Sequence, residues 1–456
     1  LRGIRDALPP STRVITARGS ETATDFPVPE TIPVSALRAP DGRPGVHVEL
    51  FEGQSLDSAA RFTRVDSTID VAWGEGSPRA ELSATNFSVR WSALLVPPVT
   101  GNYRLGVAAT MKFRLVVDDS TVLRSKYSST AEFPDPRLIQ TVPMLLERGR
   151  RYRVMIEAQN TYGDAQLHLS WTSPSDTLEA EAVHAAEQAD AVVMVLGLSS
   201  RLEGEEMPVA VEGFRGGDRT SIDLPAPQQR LLERIVAVGK PTVLVLLNGS
   251  ALAVNWADGH VPAIVEAWYP GQAGGSAIAD VLFGDYNPAG RLPVTFYKNV
   301  EDLPPFESYA MAGRSYRFFT GVPLYPFGHG LSYTTFRYSR LRTSVASLRA
   351  NDTVTVRVNV TNSGALAGDE VVQLYAAIPS SSVSRSRRDL RGFARVHLMP
   401  RQTKTVSFRV PASSFAYWDA ARQRWQVESG PVRLEAGASS ADIRLTKTIR
   451  LHASRD

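Results

Sequence analysis

The chain has 456 residues, enough for roughly two to four domains with cores of their own. Lys and Arg number 50 against 47 Asp and Glu, a net charge of +3 with no basic run, so nucleic acid is not an expected partner. There is no cysteine, which excludes disulfides and thiolate metal sites, and no apolar run approaches the ~18 residues of a membrane-spanning helix.

The opening "LRGIRDALPPSTRVITARGS" places Leu1, Ile4 and Leu8 at helical spacing, then Pro9-Pro10, then a strand-like "RVITA". A helix feeding a strand at the first residues reads as the later part of a longer polypeptide. Residues 20–45 are rich in Pro, Thr and Ser without periodicity and read as a linker. From about Pro44 the character is all-β. "NFSVRWSALLVPPVTGNYRLGV", "KFRLVVDDSTVLRS", "RYRVMIEAQN" and "LHLSWTSP" are short strands punctuated by turns, the pattern of a β-sandwich or barrel. Trp91 and Trp171 are expected in its core. Asp118-Asp119 allows calcium, although a turn between two strands is the simpler reading.

After about residue 175 the pattern changes. "TLEAEAVHAAEQAD" is a helix, and "AVVMVLGLSS" is an apolar strand of the type buried on both faces. "APQQRLLERIVAVGK" is an amphipathic helix with Leu231, Leu232, Ile235 and Val236 on one side. "PTVLVLLNGS" and "PAIVEAWY" are further buried strands, and "GGSAIADVLFG" is a helix. Strands alternating with helices predict a largely parallel sheet. The simplest arrangement is one α/β domain, begun in residues 1–43 and resumed at 176–336, interrupted by a β-domain over 44–175. From 337 to 456 the chain returns to strands. "DTVTVRVNVTNSG", "EVVQLYAAI" and "KTVSFRV" belong to an immunoglobulin-like β-sandwich.

Between the first buried strand and the next helix lies "RLEGEEMPVAVEGFRGGDR", in which Glu203, Glu205 and Glu206 crowd into four positions without a helix or strand pattern. In an open α/β sheet, ligands sit beyond the carboxyl ends of the strands. Crowded acids repel one another, which raises the pKa of at least one and suits a general acid. An exposed acidic loop is the commoner origin of such a cluster, and charge alone does not separate the two. The 7 His are scattered without His-Glu-x-x-His, and neither a Gly-x-Ser-x-Gly elbow nor a phosphate loop is present, so no metal or other cofactor is expected. His329 in "PFGHGLSY" reads as part of a turn.

"AWYPGQAGGSAIADVLFGDYNPAGRLPVTF" followed by "YPFGHGLSYTTF" resembles the carboxyl-terminal α/β-sandwich domain of family 3 glycoside hydrolases, which include β-glucosidases and β-xylosidases. "VTVRVNVTNSGALAGDEVVQLY" and "DLRGFARVHLMPRQTKTVSF" resemble the fibronectin type III-like domain of that family, and residues 44–172 resemble an inserted protective-antigen-type domain. The resemblance implies a retaining exo-acting β-glycosidase, of β-glucosidase type foremost, acting on terminal β-linked sugars of oligosaccharides. An amino-terminal barrel would supply an aspartate nucleophile, either from the same polypeptide or from a companion chain. A loop of the α/β domain would supply the acid/base.

Matching "EGEE" and "GGDR" to the family loop gives Glu205 as acid/base, with Glu206 the rival and Glu203 a weaker third. No nucleophile is recognised in this chain. Asp218 reads as a partner of Arg219 or a turn residue, and Asp223 as a helix lead-in, so the chain alone is expected to be inactive. Arg219, Trp268 and Tyr269 are candidates for the substrate cleft, with a core role for Trp268 and Tyr269 equally open. The resemblance further implies periplasmic or secreted residence and leaves a homodimer open. A non-catalytic carbohydrate-binding or assembly protein without a barrel is the alternative.

Overall fold

The computed structural model describes residues 1–24, 26, 29–125, 139–161, 163–172, 174, 178–207 and 209–453. The chain forms two compact units, Arg18–Glu181 and Leu1–Ala17 with Ala182–Asp456. Strands and sheets dominate, and helices are few. Among the described residues no helix is long and apolar enough to cross a membrane.

Within Arg18–Glu181 the strands pair antiparallel in two sheets. One runs in the order Phe62–Asp66, Val46–Glu52, Phe87–Leu95, Tyr152–Asn160, Lys112–Val117, Ser120–Arg124. The other has Ala165–Thr172 and Gly101–Ala109 at its centre. Side chains alternate along a strand, so Phe87, Val89, Trp91 and Leu95 all face one core. Ile156 lies directly across from Trp91. Trp171 packs against Tyr103 with ring centroids 5.0 Å apart, and Trp91 stacks on Trp73. Both Trp91 and Trp171 are core residues.

Asp118 and Asp119 both have positive φ, 47° and 69°, at the turn joining the strands that end at Val117 and begin at Ser120. Two left-handed residues in a two-residue hairpin loop match the right-handed strand twist. Arg153 engages both aspartates, through its backbone N–H to Asp118 and its guanidinium to Asp119. The stretch expected to be a linker takes part in the sheets. Glu30–Thr31 pairs with Ala165–Thr172, and Leu37–Arg38 pairs with Phe87–Leu95. Its prolines interrupt these strands without preventing such short pairings, and Ile32 and Leu37 are buried in the core.

In the other unit, three strands lie parallel in sequence order: Val192–Gly197, Thr242–Leu247 and Ala263–Glu266. Parallel neighbours need a crossover, and helices Ala226–Ala237 and Asn255–His260 lie in the two crossovers. Leu231, Leu232 and Ile235 are buried, while Val236 is only half-buried. The first strand departs from the expectation of burial on both faces. Val193 and Val195 are 38% and 50% exposed, because no described layer covers that side. Nor does "RVITA" form a strand, since no described strand lies beside it to supply a ladder. The helix Arg2–Ala7 does form, and it crosses helix Gly274–Phe283 closely. A Cβ on Gly3 would stand 2.2 Å from the Gly275 carbonyl oxygen, so this crossing needs glycine.

The final described strands form sheets of three and five strands and a two-stranded ribbon of Tyr417–Asp419 and Arg424–Gln426. Val354, Val356, Val358 and Val360 are each fully buried, facing Val372, Leu374, Val432 and Leu434 in one core. This sandwich is tied to the segment that precedes it. Arg291 donates to Glu370 at 2.9 Å with both side chains buried, and Tyr338 donates to the other Glu370 oxygen at 2.6 Å. Gln373 donates to the Gly328 carbonyl at 3.0 Å. Gly328 has φ +82° in the turn that carries His329, whose ring stacks on Tyr325.

Candidate active site

The first parallel strand ends at Gly197, and the reason it ends there is local. Gly197 has φ +134°, and a Cβ would meet the Leu247 carbonyl oxygen at 2.1 Å. The buried Gln228 amide satisfies both of its backbone groups, accepting from its N–H and donating to its carbonyl at 2.7 Å each. The chain then turns, with Leu202 and Glu203 both donating backbone N–H to the Ser199 carbonyl. Leu202 is fully buried and anchors the start of the acidic loop.

The loop is more ordered than its sequence pattern indicates. Ala210–Val211, Phe214–Arg215 and Asp218–Arg219 form a small antiparallel meander. Phe214 is buried, while glycines at 213, 216 and 217, all at positive φ, make the tight reversals. The Met207 N–H donates to the Gly216 carbonyl at 2.9 Å, folding the meander onto the acidic segment.

The structure separates the three carboxylates. Glu203 is half-buried and accepts three hydrogen bonds, from the Gly249 N–H at 2.7 Å, the Ser250 hydroxyl at 2.7 Å and the Tyr269 hydroxyl at 2.6 Å. Glu205 and Glu206 are solvent-exposed, and Glu206 sits at a corner with φ +50°. Neither has a hydrogen-bond partner among the described residues.

Arg219 closes the far end of the loop. It donates to the carbonyls of Ser221 at 3.0 Å, Ala251 at 2.9 Å and Asp223 at 3.2 Å, and to the Ser250 hydroxyl at 3.1 Å. None of these bonds goes to Asp218, which lies exposed on the meander opposite Arg215. Burial pushes the Arg219 guanidinium down from its ordinary pKa, while Glu203, Asp223 and Tyr269 act in the opposite sense. The Tyr269 hydroxyl is pushed well above the ordinary phenol range, by burial first and then by Glu203. It therefore remains a donor. Asp223 accepts from the Ser221 hydroxyl at 2.8 Å and leads into the helix at Ala226.

Of the cleft candidates, Arg219 and Tyr269 join the Glu203 cluster. Trp268 is half-buried with φ +53° and meets Phe296 edge-on at 6.0 Å, a packing contact. Sequence reasoning did not single out Ser250, Gly249, Asn248 or Glu266. The first three follow the second parallel strand and Glu266 ends the third, so their signal was their place at strand ends. Burial raises the Glu266 carboxyl to about 7, against the opposing pull of the Trp268 N–H and the Asn248 side chain. Among the described residues no group of three or more His, Asp or Glu is placed to hold a metal ion.

Residues 48–333 match the glycosyl hydrolase family 3 C-terminal domain, more than half of the chain. The chain belongs to glycosyl hydrolase family 3. Residues 370–440 match the fibronectin type III-like domain. A xylan 1,4-beta-xylosidase of Xylanibacter ruminicola is 36% identical over 368 residues, covering 80% of this chain and 41% of that protein. A periplasmic beta-glucosidase of Salmonella typhimurium is 38% identical over 302 residues, covering 64% of this chain and 38% of that one. The crystal structure of a beta-glucosidase from Kluyveromyces marxianus superposes with a TM-score of 0.71 at 25% identity, covering 99% of this chain and 56% of that chain. The chain thus spans about half the length, or less, of these family 3 relatives.

Proposed function

We propose that this chain is the carboxyl-terminal portion of a retaining exo-acting β-glycosidase, of β-glucosidase type, that supplies the general acid/base. Its three parallel strands and helices are then part of an α/β sandwich interrupted by a protective-antigen-type insert. The nucleophilic aspartate comes from an amino-terminal barrel outside these 456 residues, and the chain alone is inactive.

One observation carries this reading. Two carboxylates, Glu205 and Glu206, stand exposed beyond the carboxyl end of the first parallel strand, on a loop folded against itself. A solvated face would scatter its acids, whereas this loop engages one and presents two. Retaining hydrolysis needs a second carboxyl group about 5–5.5 Å from the acid/base. The aspartate attacks the anomeric carbon and the bond to the leaving oxygen breaks, with Glu205 passing its proton to that oxygen. Glu205 then takes a proton from water as the water oxygen attacks the anomeric carbon, releasing the sugar and the free aspartate. The register of the family loop favours Glu205 over Glu206. Burial and the close approach of Tyr269 keep Glu203 engaged elsewhere.

The test uses the complete enzyme with aryl β-glucosides and β-xylosides. Glu205→Gln is expected to lower turnover of substrates with poor leaving groups by about 10²–10⁴-fold. Loss in Glu206→Gln alone would move the role by one residue. Full activity in both variants would overturn the assignment.

A further inference from the structure

We infer that Glu203 is a positioning residue that fastens the acid loop to the ends of the second and third parallel strands, fixing where the following carboxylates stand. The inference rests on the reading of Glu205 as acid/base. Three donors from two separate segments converge on Glu203: Gly249 and Ser250 beyond the second strand, and Tyr269 beyond the third. The Ser250 hydroxyl donates to Glu203 and accepts from Arg219. Glu203 opens the loop and Arg219 closes it, so both ends are held at a single hydroxyl.

Two glycines show how tightly the arms meet. A Cβ on Gly249 would lie 2.7 Å from Glu203 Oε1 and 2.8 Å from the Tyr269 ring, since carboxylate and phenol close over that residue. Gly217, with φ +91°, passes so near Gly204 that a Cβ would fall 1.8 Å from the Gly204 carbonyl oxygen. Gly204 is the link between Glu203 and Glu205. A displacement of Glu203 therefore passes directly into the position of Glu205.

Both Glu203 oxygens are already acceptors. Three donors converging on the two oxygens suit the residue to holding the loop. Misplacing a catalytic group by about 1 Å costs on the order of 10²-fold in rate. Gln in place of Glu203 turns an acceptor oxygen into an amide nitrogen facing one of the three donors, which forces such a shift.

The experiment compares Glu203→Gln, Tyr269→Phe, Ser250→Ala and Glu205→Gln in the complete enzyme. Each is assayed on an alkyl β-glycoside, whose leaving oxygen needs a proton, and on a dinitrophenyl β-glycoside, whose leaving group does not. Azide is added as an external nucleophile that attacks the anomeric carbon of the glycosyl-enzyme and frees the aspartate. Glu203→Gln is expected to lower kcat on the alkyl glycoside by roughly 10–100-fold with KM little changed, and to lower the rate of glycosyl-enzyme formation from the dinitrophenyl glycoside far less. Azide should not restore it, because the Glu205 carboxylate still occupies and repels the space azide would enter. Tyr269→Phe and Ser250→Ala should repeat the pattern at roughly 3–10-fold, and they carry the test if Glu203→Gln does not fold.

Equal losses on both substrates would mean a merely structural residue and overturn the inference. So would activity within twofold of wild type in all three variants. Rescue of Glu203→Gln by azide, with Glu205→Gln unrescued, would make Glu203 the acid/base itself. Failure of the function reading is separate: Glu205→Gln and Glu206→Gln would both stay fully active.

Discussion

Glu266 gives a stability prediction with a definite sign. It ends the third parallel strand, where Oε1 accepts the Trp268 N–H at 3.2 Å and Oε2 is buried without a partner. The neighbouring Asn248 is fully buried, spends its amide N–H on the Ser250 carbonyl at 3.0 Å and leaves its own oxygen unpartnered. Burial favours the neutral carboxyl and outweighs the opposing pull of the Trp268 N–H and the Asn248 side chain, so the Glu266 pKa is raised from 4.5 to about 7. Below the unfolded value both states hold the proton, so stability does not depend on this group. As pH rises through the window from 4.5 to 7 the unfolded chain releases the proton first, and stability falls. Above the window the loss levels off at about 3 kcal/mol as an upper figure, and at roughly 1–3 kcal/mol once the partial exposure of the residue is counted. Glu266→Gln removes the ionisation while keeping the size of the side chain and an acceptor oxygen for the Trp268 N–H. Its melting temperature should match wild type near pH 4.5 and exceed it at pH 8 by several degrees, at about 2–4 °C per kcal/mol. His329, whose pKa is lowered by burial, contributes an opposite slope, with stability lost as pH falls below 6.5. That slope is common to both proteins and cancels in the difference. Melting curves of wild type and Glu266→Gln that stay parallel from pH 4.5 to 8 would show that Glu266 ionises like a solvated acid, and would refute the reasoning.

Gly249→Ala should act at a distance from the reacting atoms. The new methyl, 2.7 Å from Glu203 Oε1, pushes the carboxylate aside, so kcat on poor leaving groups should fall roughly as in Glu203→Gln, with a stability cost of about 1–3 kcal/mol in denaturant titration. Arg291→Met leaves Glu370 buried beside Tyr338 alone and should cost about 3–5 kcal/mol, whereas Arg291→Met with Glu370→Met should recover most of it; the two unfolding midpoints decide. Gly217→Ala meets both a positive φ and the Gly204 carbonyl, so it should open the meander and lower activity without moving the main melting transition by more than about 2 °C.

Period-2 alternation was enough to read the β-rich parts, because Val354 to Val360 bury alternate residues and Phe87, Val89, Trp91 and Leu95 share one buried face, with Ser88 the one buried residue on the other face of that strand. Periodicity failed where an element depends on a neighbour. "RVITA" has strand composition but no described partner strand, and Val193 and Val195 look like buried residues yet are exposed. The short pairings inside residues 20–45 and the meander of Ala210–Arg219 fall below the length at which alternation is visible. The acid cluster itself was legible from charge alone. Its partition was not, because Gly249, Ser250 and Tyr269 lie 46, 47 and 66 residues from Glu203.

That partition explains why like charges gather where a strand ends. Three free carboxylates in so short a span would repel one another and splay the loop, leaving each with an ill-defined position. Binding Glu203 to three donors beside the buried Arg219 turns one of the repelling charges into the tether. The remaining two then project from a point held at the carboxyl ends of two strands rather than from a mobile coil. A loop with Glu205 and Glu206 alone would carry the same chemical groups without the anchor. By this argument Glu203→Ala, which removes the tether outright, should harm turnover on poor leaving groups more than Glu206→Ala does, even though Glu206 is the closer neighbour of Glu205 in sequence. The reverse order of effects would mean that the loop is held by its meander alone.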